Sequence, residues 1–171
     1  MVSMARGRLA VWGAMFALIG GLSSSSAEAL DAGAKAPEIG LKDLSGKTVD
    51  LASLAGKVVI LDFWATWCAP CREEMPELQK FYKKYNAKGL EIVGISVDKG
   101  PEGIKDFISK LKVSFPVVHD EGHKVADKYS PPRMPSSYII DRKGVVRYVH
   151  GGYRAGDAAQ FEKEIQELLA K

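Results

Sequence analysis

Only two cysteines occur in the 171 residues, Cys68 and Cys71, and only three histidines, His119, His123 and His150. A tetrahedral zinc site built on that cysteine pair would need two more ligands, and the histidines show no ligand-pair spacing, which argues against a metal. A disulfide closing so short a loop constrains the unfolded chain little, which argues against a purely structural bridge. No internal repeat is visible. The longest apolar run near the start, Leu9 to Ile19, is too short and glycine-broken for a comfortable membrane span, and its lack of cysteine excludes lipid attachment there.

The first 29 residues nonetheless change character in a definite order. Arg6 and Arg8 lead into Leu9 to Ile19, then a serine run, then Ala27-Glu28-Ala29. Basic, apolar and small-residue regions in that order read as a secretory signal over residues 1–29, with cleavage after Ala29 and export to the periplasm. An uncleaved segment would instead be a membrane anchor. Residues 30–171 then form one globular domain of ordinary composition, with 22 basic against 20 acidic side chains. So small an excess, spread over the chain, leaves no footprint for nucleic acid.

What is present centres on Trp67-Cys68-Ala69-Pro70-Cys71. Val58 to Phe63 reads as a strand buried on both faces, and the following helix has Pro70 in its first turn, where a missing N–H costs little. Cys68 therefore lies at a helix N-terminus, where free backbone N–H groups and the positive end of the helix dipole favour a thiolate. Cys71, one turn further in, is placed to resolve a mixed disulfide on Cys68. Asp62 is a lone carboxylate in the apolar strand. Burial should raise its pKa and favour the protonated form near neutral pH, and its ionised form is the expected proton acceptor when Cys71 attacks.

The run Ile60-Leu61-Asp62-Phe63-Trp64-Ala65-Thr66-Trp67-Cys68-Ala69-Pro70-Cys71-Arg72 resembles the active-site segment of the thioredoxin superfamily. With Ala36-Pro37, Leu41 to Lys47, Leu51 and Gly56-Lys57, residues 34–171 resemble its extracytoplasmic TlpA/ResA/CcmG branch and the related redoxins. The resemblance implies an α/β thioredoxin fold with an N-terminal β-hairpin extension and a central αβ insertion, its mixed sheet flanked by helices. It also implies a cis Met134-Pro135 bond facing the disulfide, with the Met134 backbone and soft side chain docking an extended substrate segment. Trp67 is expected to shield the sulfur and offer a flat apolar contact, and Arg72 to favour a nearby thiolate.

The remaining elements follow from periodicity. Ala69 to Ala87 reads as a helix with an apolar stripe of Met75, Leu78, Phe81, Tyr82 and Tyr85, kinked at Pro76. Leu90 to Val97 reads as a parallel strand. A helix over Ile104 to Leu111 and a strand over Phe115 to His119 match the branch's insertion. Ser136 to Asp141 and Val145 to His150 form a hairpin, and a last helix starts with Asp157 as N-cap. The three histidines read as surface or strand-end side chains.

The function implied is a protein-disulfide oxidoreductase that needs no cofactor or metal beyond the Cys68-Cys71 pair. Ala69-Pro70 keeps thioredoxin's proline, and Asp62 keeps its acid, which points to the reducing end of a superfamily spanning roughly −120 to −270 mV. The branch implies a monomer acting on protein disulfides, apocytochrome c or another exported protein, and fed by a membrane electron donor of the DsbD/CcdA type. Members specific for the haem apoprotein carry a glutamate after the second strand. Ser96-Val97-Asp98-Lys99 departs from that pattern. Thr66 and Arg133 would suit a redoxin-type peroxidase, although a Cys-x-x-Cys ring is unusual there. Oxidase activity and copper delivery by the two soft sulfurs complete the alternatives.

Overall fold

The computed structural model describes residues 30–171, so the signal read over residues 1–29 lies outside them. Strand β3, Val58–Trp64, is the axis of the molecule, and all seven of its residues are buried. It pairs in parallel with β4 (Leu90–Ser96) and antiparallel with β6 (Ser136–Ile140). Strand β5 (Val117–His119) extends the sheet beyond β4, and β7 (Val146–Gly151) extends it beyond β6, giving the order β5-β4-β3-β6-β7. Near-continuous apolar runs are what a strand covered on both faces requires, and β3 and β4 supply them.

Register decides which side chains share a face. Asp62 lies opposite Gly94 on β4 and Ser137 on β6, and Ser137 lies opposite His150 on β7. Helices α1 (Ala69–Tyr85) and α4 (Asp157–Leu169) cover this face: Glu74 of α1 bonds Ser137, and Phe161 of α4 stacks on His150 at 4.2 Å. Gly94 belongs to the same face, where an added Cβ would lie 3.1 Å from the Trp64 indole nitrogen and 3.2 Å from Phe115. The bare backbone is what leaves room there for the Trp64 and Phe115 rings. Helix α2 (Ile104–Lys110) contributes Phe107, stacked on Trp64 at 5.0 Å. On the opposite face Tyr129 of α3 (Ala126–Tyr129) closes an aromatic cluster with Phe63 and Tyr138.

The small hairpin of β1 (Leu41–Lys42) and β2 (Thr48–Val49) is the expected N-terminal extension. It docks on edge strand β5, where the Leu44 N–H donates to the Val117 carbonyl at 3.0 Å, so an otherwise open sheet edge is covered. The inserted segment is α2 with β5, as expected, although β5 begins at Val117 rather than Phe115. Pro116 joins the ladder only as an acceptor, its carbonyl taking the Gly94 N–H at 2.9 Å, since it has no N–H to donate.

Two helix ends differ from expectation. Helix α1 stops at Tyr85 and passes into a short 3-10 turn, Asn86–Lys88, before Gly89 at φ 101°. Asp157 is the first residue of α4 and not its cap; Gly156 caps it at φ 106°, a conformation that costs glycine little. The Asp157 carboxylate instead accepts the Arg154 N–H at 2.8 Å, tying down the loop before the helix. The hairpin turn between β6 and β7 is built as expected around Gly144, with Asp141 accepting the N–H groups of Lys143 and Val145. Among the described residues no helix is long and apolar enough to cross a membrane.

Candidate active site

Strand β3 ends at Trp64 and the chain turns at once: the Cys68 N–H donates to the Ala65 carbonyl at 3.1 Å. Cys68 then caps α1, its Sγ accepting the Cys71 N–H at 3.2 Å, with Pro70 in the first turn. The two sulfurs are joined as a disulfide. Their exposure differs: Cys68 keeps 4% of its surface open, whereas Cys71 has none. Only Cys68 can be reached from outside, and a thiolate there would sit on the free N–H groups and positive dipole of the helix start.

A buried acid pair bridges β3 and α1. Asp62 is wholly buried, and Glu74, one turn along α1 from Cys71, is 1% exposed. The Ser137 hydroxyl lies 2.9 Å from Asp62 Oδ1 and 3.1 Å from Glu74 Oε1. A hydroxyl has one proton and cannot donate to both, so both contacts are hydrogen bonds only when one carboxyl is protonated and donates to Ser137 Oγ. The other oxygens, Asp62 Oδ2 and Glu74 Oε2, are buried without a hydrogen-bond partner. Burial pushes Asp62 up to about 7. Burial raises Glu74 well above the ordinary carboxylic range too, and the neighbouring Asp62 charge adds to it. The pair can hold or release a proton near neutral pH.

Glu74 was not singled out from the sequence. Its signal was its spacing, three residues after Cys71 and four before Leu78, both of them buried on the inner face of α1. Ser137, the residue that joins the acids, carried no signal beyond its place in a strand.

The other expected site residues fall as follows. The Met134-Pro135 bond is cis. Among the described residues neither the N–H nor the C=O of Met134 is hydrogen-bonded. The Met134 side chain borders a shallow cleft of about 400 Å3 shared with Val97, His123, Ala126, Ser130 and Pro131. Trp67 stands 68% exposed beside the sulfurs. Arg72 is exposed, and its guanidinium lies over the Phe107 ring at 5.6 Å, extending the stack on Trp64. The histidines are at surface and strand-end positions, but each is engaged: His119 with the Asp98 carbonyl, His123 with the Val97 carbonyl and His150 with Glu164. Among the described residues no three histidine, cysteine or acidic side chains converge as metal ligands.

Comparison with known proteins places these features in a family. The model of the AhpC/TSA family matches residues 32–149. The chain is 40% identical over 119 residues to the thiol-disulfide oxidoreductase ResA of Bacillus cereus, covering 70% of this chain and 69% of that one. Against ResA of Bacillus subtilis the identity is 38% over 125 residues, covering 72% and 70%. Among solved structures it resembles one described as the thiol:disulfide interchange protein DsbE of Chlorobium tepidum, with TM-score 0.79, 36% identity, and coverage of 82% of this chain and 99% of that one.

Proposed function

Because the chain belongs to the AhpC/TSA family and is a thioredoxin-fold protein-disulfide oxidoreductase, we propose that it works outside the cytoplasm as a reductase of protein disulfides. The observation that carries this reading is a helix-capping sulfur three residues before a second, fully buried sulfur, on the helix that also supplies Glu74 to a buried, protonatable acid pair with Asp62. In the reduced form the Cys68 thiolate attacks one sulfur of a substrate disulfide, forming a mixed disulfide and releasing the other substrate sulfur as a thiolate. Cys71 gives its proton to the Asp62–Glu74 pair and attacks Cys68 Sγ. The second substrate sulfur leaves, and two electrons have passed from the cysteine pair to the substrate. The substrate segment lies along the Met134 backbone before cis Pro135, against Trp67. Arg72, turned onto Phe107, contributes to the rim of this surface.

Apocytochrome c or another exported protein is the substrate in this proposal. A membrane donor of the DsbD/CcdA type returns electrons to the oxidised pair, and the chain acts as a monomer without metal, cofactor or nucleic acid. Residues 1–29 deliver it to the periplasm and are removed, or hold it at the membrane if they are not.

Equilibration with glutathione redox buffers tests the direction. A potential below about −200 mV is expected, and one above about −180 mV would reverse the assignment to an oxidase. The same preparation should react with hydrogen peroxide no faster than an ordinary thiolate does, well short of a peroxidase rate. The Thr66 hydroxyl that a redoxin-type peroxidase would use donates to Asp98 at 2.7 Å.

A further inference from the structure

Asp98 stands two residues past the end of β4, 6% exposed, and its carboxylate bonds the loop that carries Cys68. The Thr66 N–H reaches both carboxylate oxygens, at 3.2 and 3.1 Å, and the Thr66 hydroxyl donates to Oδ1 at 2.7 Å. The Ser96 hydroxyl donates to Oδ2 at 2.8 Å. Thr66 is the second residue of the Ala65–Cys68 turn. Two residues later Cys68 is buried as the helix cap, while Trp67 between them is thrown out to solvent. A turn with such divergent neighbours needs a fixed point, and the Thr66–Asp98 contact is one.

The fixed point is held in its turn by the inserted segment. The His119 ring nitrogen Nε2 lies 2.8 Å from the Asp98 carbonyl, and His123 Nε2 lies 3.0 Å from the Val97 carbonyl. A carbonyl can only accept, so both Nε2 atoms carry hydrogen and donate. The Val97 N–H donates back to the Trp64 carbonyl at 2.9 Å, just before the turn. Residues on β5 and the turn after it therefore grip the same short backbone stretch that grips the active-site loop.

We propose that Asp98 and Ser96, braced by His119 and His123, are positioning residues that hold Thr66 so that Cys68 stays seated on the N-terminus of α1. The role of the αβ insertion is then to stiffen the redox loop from behind. This inference rests on the reading of Cys68 as the attacking thiolate. Its physical basis is that the N–H donor and helix dipole act on the sulfur only while the cap geometry is kept.

Alkylation of the reduced full chain by iodoacetamide across pH tests it, with thermal unfolding measured in parallel. Thr66→Val and Ser96→Ala leave the Asp98 charge in place and each remove one donor. Both should slow alkylation at pH 7 about tenfold and move the midpoint of the profile to higher pH. Thr66→Ser, which keeps both donors, should match the wild type, and His119→Phe should shift the profile in the same direction by less. If the profiles of Thr66→Val and Ser96→Ala superimpose on a wild type that reacts at low pH, the inference is overturned, whatever their unfolding temperatures, and the proposed function stands. If the wild type itself titrates like a free cysteine in solution, the parent reading falls and this one with it.

Discussion

Replacing Cys71 by serine is expected to turn the protein into a covalent trap. The Cys71→Ser chain should still attack substrate disulfides through Cys68, but with no second sulfur behind it the mixed disulfide persists, and multiple-turnover disulfide reduction falls by at least about a thousandfold. Cys68→Ser should abolish both turnover and trapping, because the sulfur that remains has none of its surface open. The asymmetry between the two variants is the informative result. Non-reducing gels and mass spectrometry of complexes formed in the native host would identify the captured protein. Equal trapping by Cys68→Ser would remove the order of attack assigned from burial.

The second large effect concerns the acid pair. Asp62→Asn should slow release of the mixed disulfide at pH 7 by about a hundredfold, since a positioned proton acceptor contributes on that order. It should also alter stability, with a sign that follows from linkage. The carboxyl of Asp62 titrates near 4 when unfolded and near 7 when folded, so between those limits the native state binds more protons than the unfolded one. Stability therefore falls as pH rises through that window, and Glu74, shifted in the same direction, deepens and extends the loss. The Asp62→Asn chain should lack much of this slope and be more stable than wild type at pH 8 by about 2–4 kcal/mol. Denaturant unfolding at pH 5, 6, 7 and 8 measures it. Parallel pH dependences for the two chains, with unchanged release kinetics, would show that the pair neither stores a proton nor uses one.

Much of this site is readable in the sequence because its local signals are unambiguous. Seven apolar-run residues containing one carboxylate, then two cysteines around Ala69-Pro70, specify strand, turn and helix start with little competition. The cis bond before Pro135 was implied only by family resemblance, since a Met-Pro pair by itself favours trans. Glu74 was missed because Glu73, Glu74 and Glu77 look alike along the chain. Only the packing of α1 on β6 selects the one that meets Ser137. The same limit applied to Asp98, which reads as a displaced family glutamate until the turn it holds is seen. The Asp157 cap failed for a different reason. A good capping side chain one residue past a glycine loses when the loop needs a positive φ, which only Gly156 supplies cheaply.

The placing of Cys71 wholly behind Cys68 has a consequence for survival in an oxidising surrounding. Any peroxide that meets the reduced protein oxidises the outer sulfur first, to a sulfenic acid. The inner thiol can condense with it, expelling water and closing the ring, before a second oxygen drives the outer sulfur toward the irreversible sulfinic and sulfonic forms. Accidental damage is thereby converted into the ordinary oxidised resting form, which a fresh pair of electrons restores.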